Sequence, residues 1–113
     1  MKIELLYFEG CPSYRVAETS LREVLAEAGL VDLIDMIEIK TEADAQNWKF
    51  PGSPTFRFDE IDPFAQGEPV YGLECRVYLT PDGLRGWPTK DMLREVVNNV
   101  ARLQGDLSQV RSA

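Results

Sequence analysis

The chain has 113 residues, 44% of them apolar, with a formal net charge of −7 and no histidine. That length suits one domain with a modest core, and an acidic surface is unsuited to a phosphate backbone, so no nucleic-acid partner is expected. No apolar run approaches the length of a membrane span, and two cysteines make neither a disulfide scaffold nor a four-ligand zinc site. No cofactor, bound metal or membrane partner is expected, and any chemistry must rest on sulfur or carboxylates.

The opening segment, MKIELLYFEG, lacks a small-residue cleavage site and reads as a first strand over residues 3–8, not as a signal peptide. A cytoplasmic protein is the expectation. Glu9-Gly10 breaks the strand, and Cys11-Pro12 opens a helix in which proline suits the first turn. Ala17, Leu21, Val24, Leu25 and Ala28 share one helical face, and Gly29 ends it.

Residues 34–39 predict a second strand, and strand–helix–strand implies a parallel pair with a crossover. Thr41 and Asp44 cap a short helix ending near Phe50. Pro51-Gly52-Ser53-Pro54 is a breaker, and Thr55-Phe56-Arg57-Phe58 alternates as a third strand. Residues 59–74 form a 16-residue segment without a clear period. A fourth strand is predicted over 76–80, a turn at Pro81-Asp82-Gly83, and a last helix capped by Thr89 with Leu93, Val96, Val97, Val100 and Leu103 on its apolar face. The order β-α-β-α-β-β-α predicts an α/β domain over residues 1–104, a four-stranded mixed sheet with helices on both faces, and a polar tail over 105–113 that frays.

This order resembles the thioredoxin-like superfamily in its short, glutaredoxin-like form. Phe8-Glu9-Gly10-Cys11-Pro12-Ser13-Tyr14 lies where that family has its active-site turn. Gly52-Ser53-Pro54-Thr55 lies where it has a cis-proline facing the reactive sulfur, and Gly86-Trp87-Pro88 precedes the last helix. The chain is also similar to bacterial thioredoxin-like proteins with a Gly-Ser-Pro-Thr segment and a later Cys-Arg-x-Tyr segment, here Cys75-Arg76-Val77-Tyr78. The family's second active-site cysteine corresponds to Tyr14, so a Cys-x-x-Cys cycle is impossible.

Cys11 is the leading candidate for a reactive group. As a helix N-cap it faces unpaired N–H groups and the positive end of the dipole, which can lower a thiol pKa from about 8.5 into roughly 3.5–7.5. Arg15 supports that charge and Glu9 opposes it. The alternative is a buried cysteine that only caps the helix.

The resemblance implies a cis bond before Pro54 and places Ser53, Pro54 and Thr55 at the substrate, with Ser53 offering main-chain groups to an extended chain. Tyr14 either donates to the Cys11 sulfur or packs. Cys75 is either an inert core residue or a resolving thiol. The regular strand order puts it at the far end of the sheet, beyond the roughly 4.4–6.8 Å Cα separation that a disulfide needs. The 59–74 segment is a lid over the groove or an Ω-loop on the sheet edge. Its acids Asp59, Glu60 and Asp62 match no EF-hand spacing.

The leading functional expectation is a thiol–disulfide redox protein that uses Cys11 alone, with Pro12 and Tyr14 beside it, on a protein or small-molecule thiol or disulfide. Two alternatives stand: a protein holding a soft metal such as mercury or copper on thiolate, and a redox-inactive interaction domain.

Overall fold

A computed structural model describes residues 2–30 and 34–100. The apolar N-terminal run forms β1 (Ile3–Tyr7). Its alternation feeds two cores. Ile3 and Leu5 join one buried cluster, and Leu6 joins another.

Helix α1 (Ser13–Glu27) follows, with Ala17, Leu21, Val24 and Leu25 buried. It ends as the sequence indicates. Gly29 has φ +71°, its N–H donates to Ala26 O, and Leu30 N–H donates to Leu25 O. These are the paired bonds of a Schellman motif, with glycine at the left-handed position. Strand β2 (Ile34–Glu38) then pairs parallel with β1, and β3 (Thr55–Phe58) pairs antiparallel on its other side, in the order β2-β1-β3.

Helix α2 (Glu42–Asn47) is capped by Thr41, whose hydroxyl accepts from Asp44 N–H at 3.0 Å. Ala45 packs with Leu6, Ile39 and Phe50 on one face of the sheet. The opposite face carries α1 and a helix α3 over residues 90–100, where Leu93 and Val97 are fully buried and Val96 and Val100 pack against them. Thr89 caps α3 by accepting from Met92 N–H. Leu103 and the expected frayed tail from residue 105 lie outside the described residues.

One expectation is corrected. The fourth strand, β4, is shorter than predicted (Tyr78–Thr80). Instead of joining β3 in a four-stranded sheet, it pairs antiparallel with β5 (Gly83–Arg85). The described residues therefore make a three-stranded mixed sheet and a separate two-stranded hairpin. The cause is the path of residues 59–77. Asp59 and Glu60 both have positive φ and turn the chain sharply at the end of β3, closed by paired bonds between Phe58 and Ile61. The chain then travels back to the start of β3 before β4 begins. There the Tyr78 hydroxyl, buried, donates to Pro54 O. No helix among the described residues is long and apolar enough to cross a membrane.

Candidate functional site

The site begins at the turn after β1, where Cys11 N–H donates to Phe8 O at 3.0 Å. Helix α1 starts one residue later than the sequence suggested. Its N-cap is Pro12, with φ −67° and ψ −13° and no side-chain cap, so Cys11 stands just outside the helix. Cys11 is also wholly buried, whereas a free nucleophile needs access.

Neither polar neighbour proposed for Cys11 serves it. The Tyr14 hydroxyl donates to the Glu9 carboxylate, and its ring stacks on Tyr7 at 4.3 Å. Arg15 ion-pairs with Glu9 at 3.9 Å and lies over the Tyr14 ring. Burial and the Glu9 charge raise the Tyr14 hydroxyl pKa, partly offset by Arg15.

The partner of Cys11 is Cys75. The two sulfurs are 2.7 Å apart, with Cys75 donating, and Cys11 Sγ in turn faces Ser53 O at 3.6 Å. Both cysteines are free. The expectation that Cys75 lies at the far end of the sheet is thus overturned, for the same reason that β4 leaves the sheet. The 59–74 segment carries the chain back, so residues 74–76 lie parallel to Ser53.

The Ser53–Pro54 peptide is cis. Ser53 N–H donates to Glu74 O and Ser53 O accepts from Arg76 N–H, both at 2.8 Å. The main-chain groups assigned to an extended substrate are therefore taken by the chain's own segment. The Ser53 hydroxyl is buried with no hydrogen-bond partner among the described residues. Thr55 is buried too, its hydroxyl on Gly52 O.

Arg76 locks this arrangement, a role that sequence reasoning did not assign. Its guanidinium pairs with Asp62 at 2.7 Å, donates to Phe64 O at 2.7 Å and to the Thr55 hydroxyl at 3.2 Å, and covers the Tyr78 ring at 4.6 Å. One side chain thereby ties the returning loop to the cis-proline turn. Gly52 makes the approach possible. It has φ +123°, and a Cβ there would come within 3.0 Å of Arg76 Cβ and 3.2 Å of the Arg76 main chain. The loop is pinned again where Gln46 donates to Tyr71 O and Gly72 N–H to Phe50 O, and Phe64 sets its ring edge-on to Phe56 and Tyr78.

The three acids at the start of the loop are engaged: Asp59 accepts from Lys2 N–H, Glu60 pairs with Lys2 and Asp62 with Arg76. No group of three or more potential metal ligands occurs among the described residues.

Comparison with protein-family models, with curated proteins and with solved structures finds no match to this chain. Cys11 is sealed inside, and Cys75 is exposed on the lining of a cleft of about 590 Å3 between the loop and the end of α2. The Cys75 thiol pKa is pushed up to about 11 by its hydrogen bond to Cys11, by burial and by the Cys11 charge. The pair thus holds a proton on Cys75 well above neutral pH.

Proposed function

We propose that this protein is a thioredoxin-like thiol–disulfide redox protein whose working pair is Cys11 and Cys75. The observation that carries the reading is the 2.7 Å contact between two free sulfurs. A disulfide needs about 2.03–2.05 Å, so closing the bond asks for a shift of well under 1 Å. A metal held tetrahedrally by two thiolates at about 2.3 Å each would instead keep the sulfurs about 3.8 Å apart, which favours the redox reading over the soft-metal one.

The framework supports the thioredoxin-like part. A parallel β1–β2 pair is joined through α1, β3 runs antiparallel from a cis-proline, and a cysteine precedes α1. The missing Cys-x-x-Cys partner at Tyr14 is replaced by a cysteine 64 residues away in sequence. The single-cysteine mechanism expected from the sequence gives way to a two-cysteine cycle. The reduced pair gives up two electrons and two protons to an external disulfide, which leaves as two thiols.

The test is a stoichiometry. The reduced full chain is mixed with a chromogenic aromatic disulfide, and the released thiol and the protein mass are both read. A working pair releases two aromatic thiols per chain and ends free of adduct, because the second cysteine expels the first adduct. Cys11→Ser ends with one retained adduct. A wild-type chain that retains adducts on both cysteines refutes the proposal.

A further inference from the structure

The β4–β5 hairpin that leaves the sheet presents an apolar outer face. Residues of a strand alternate between its two sides. Tyr78 and Thr80 are buried, whereas Val77, Leu79 and Leu84 are 61%, 63% and 65% exposed. Leu79 and Leu84 are direct cross-strand partners, so the two side chains make one ridge. Single exposed apolar residues are ordinary, but three together on one face mark a contact surface. Beside the ridge lies a hollow of about 140 Å3, lined by Pro63, Ala65, Gln66 and Met92 as well as Val77 and Leu79, with no charged residue in its wall. The same face thus carries a protruding leucine, Leu84, and a hollow that can receive one.

Charge singles out the occupant. The chain has 19 acidic residues and a net charge of −7, so two copies repel one another from most directions. Residues 76–88 hold a single acid, Asp82, and two cations, Arg76 and Arg85. Arg76 is committed to Asp62. Asp82 and Arg85 have no ion pair among the described residues: the Asp82 N–H donates to the Thr80 hydroxyl, and Arg85 donates to the Leu84 carbonyl. One uncommitted acid and one uncommitted base therefore stand on either side of Leu84. A two-fold axis that lays one hairpin end for end on another brings each acid to the other copy's base.

We infer that the outer face of the hairpin docks a second copy of this chain, in a two-fold dimer. Leu84 of each copy enters the hollow beside Leu79 of the other, and Asp82 of each pairs with Arg85 of the other. The contact is isologous, so every element of it is used twice. A protruding residue and a hollow on one face are self-complementary, which a contact of this symmetry requires. Three exposed apolar side chains per copy place the interface at the small end of the range, so the dimer forms weakly and reversibly. Neither cysteine takes part in it.

The test is sedimentation equilibrium of the reduced full-length chain, from micromolar to millimolar concentration at low salt. Wild type, Asp82→Arg, Arg85→Asp and an equimolar mixture of the two variants are compared. Wild type is expected to pass reversibly from monomer to dimer. Each variant alone sets like charges together at two places and is expected to dimerise about 30-fold more weakly. The mixture regains association close to that of wild type, because every reversed charge then meets its opposite; a misfolded variant would not be rescued in this way. Leu84→Ser is expected to stay monomeric with its thermal stability little changed, because Leu84 is exposed. A wild type that remains monomeric to millimolar concentration overturns the inference. So does an assembly that grows beyond the dimer, or a pair of variants whose mixture associates no better than either alone.

Discussion

Oxidation of the pair should change the stability of the whole chain by an amount that its connectivity sets. Cys11 and Cys75 are 64 residues apart. Closing a loop of about 65 residues removes denatured-state entropy worth about 4 kcal/mol at 25 °C. Native geometry decides how much of that survives, and the 2.7 Å sulfur contact asks for little distortion. With an unfolding entropy of about 2.1 cal/mol/K per residue over 113 residues, the full value raises Tm by about 17 °C. Half of it raises Tm by about 9 °C.

The assay is thermal unfolding followed by circular dichroism, with and without reductant, on wild type and Cys75→Ser. Wild type should show the shift and Cys75→Ser should be insensitive to reductant. By linkage the same 4 kcal/mol lowers the reduction potential of the folded pair by about 90 mV relative to the unfolded chain. An oxidised wild type no more stable than the reduced one would refute the geometric reasoning.

Further outcomes are expected. In the reduced chain Cys75 is exposed yet protonated to about 11, so iodoacetamide at pH 8 should modify it about two orders of magnitude more slowly than a free cysteine; Cys11→Ser, which removes the cause, should restore the ordinary rate. Because the folded pKa of Cys75 lies above the ordinary thiol value of 9.0, the native state binds the extra proton between about pH 9 and 11, and the urea midpoint of the reduced chain should fall more steeply with pH through that window than that of Cys75→Ser. Gly52→Ala places a Cβ against Arg76 at a positive φ and should cost about 1–3 kcal/mol in chemical denaturation, with slower disulfide closure. Ser53→Ala removes a buried hydroxyl that has no partner among the described residues and should stabilise the chain by about 1 kcal/mol, whereas Arg76→Met strands Asp62 and should destabilise it by about 3 kcal/mol.

The local elements were legible because their signals are local. The continuous apolar run of β1, the 3.6-residue stripe of α1, the Gly29 stop and the Thr41 and Thr89 caps each depend on a few adjacent residues. The pairing of β4 was not legible, because it depends on a 16-residue loop with no period of its own, whose path is fixed by Arg76, Asp62 and Phe64 acting across the fold. Strand β5 escaped notice because Gly83–Arg85 is short and exposed on every residue. The same loop hid the site: Cys11 was identifiable from its turn, yet its partner comes from residues 74–76. One available signal was the pair of segments Gly52-Ser53-Pro54-Thr55 and Cys75-Arg76-Val77-Tyr78, which meet through Ser53, Thr55 and Pro54.

The covalent pairing of the two sulfurs decides whether Cys11 and Cys75 form a working redox pair. Full-length chain at low concentration, equilibrated in a thiol–disulfide buffer, quenched with acid and digested, gives the disulfide directly by mass spectrometry. The account predicts a monomer lighter by two hydrogens, one linked peptide pair joining Cys11 to Cys75, and a formation rate independent of protein concentration. Cys11 left as an unreacted thiol, with Cys75 found only in intermolecular dimers or buffer adducts, would contradict it.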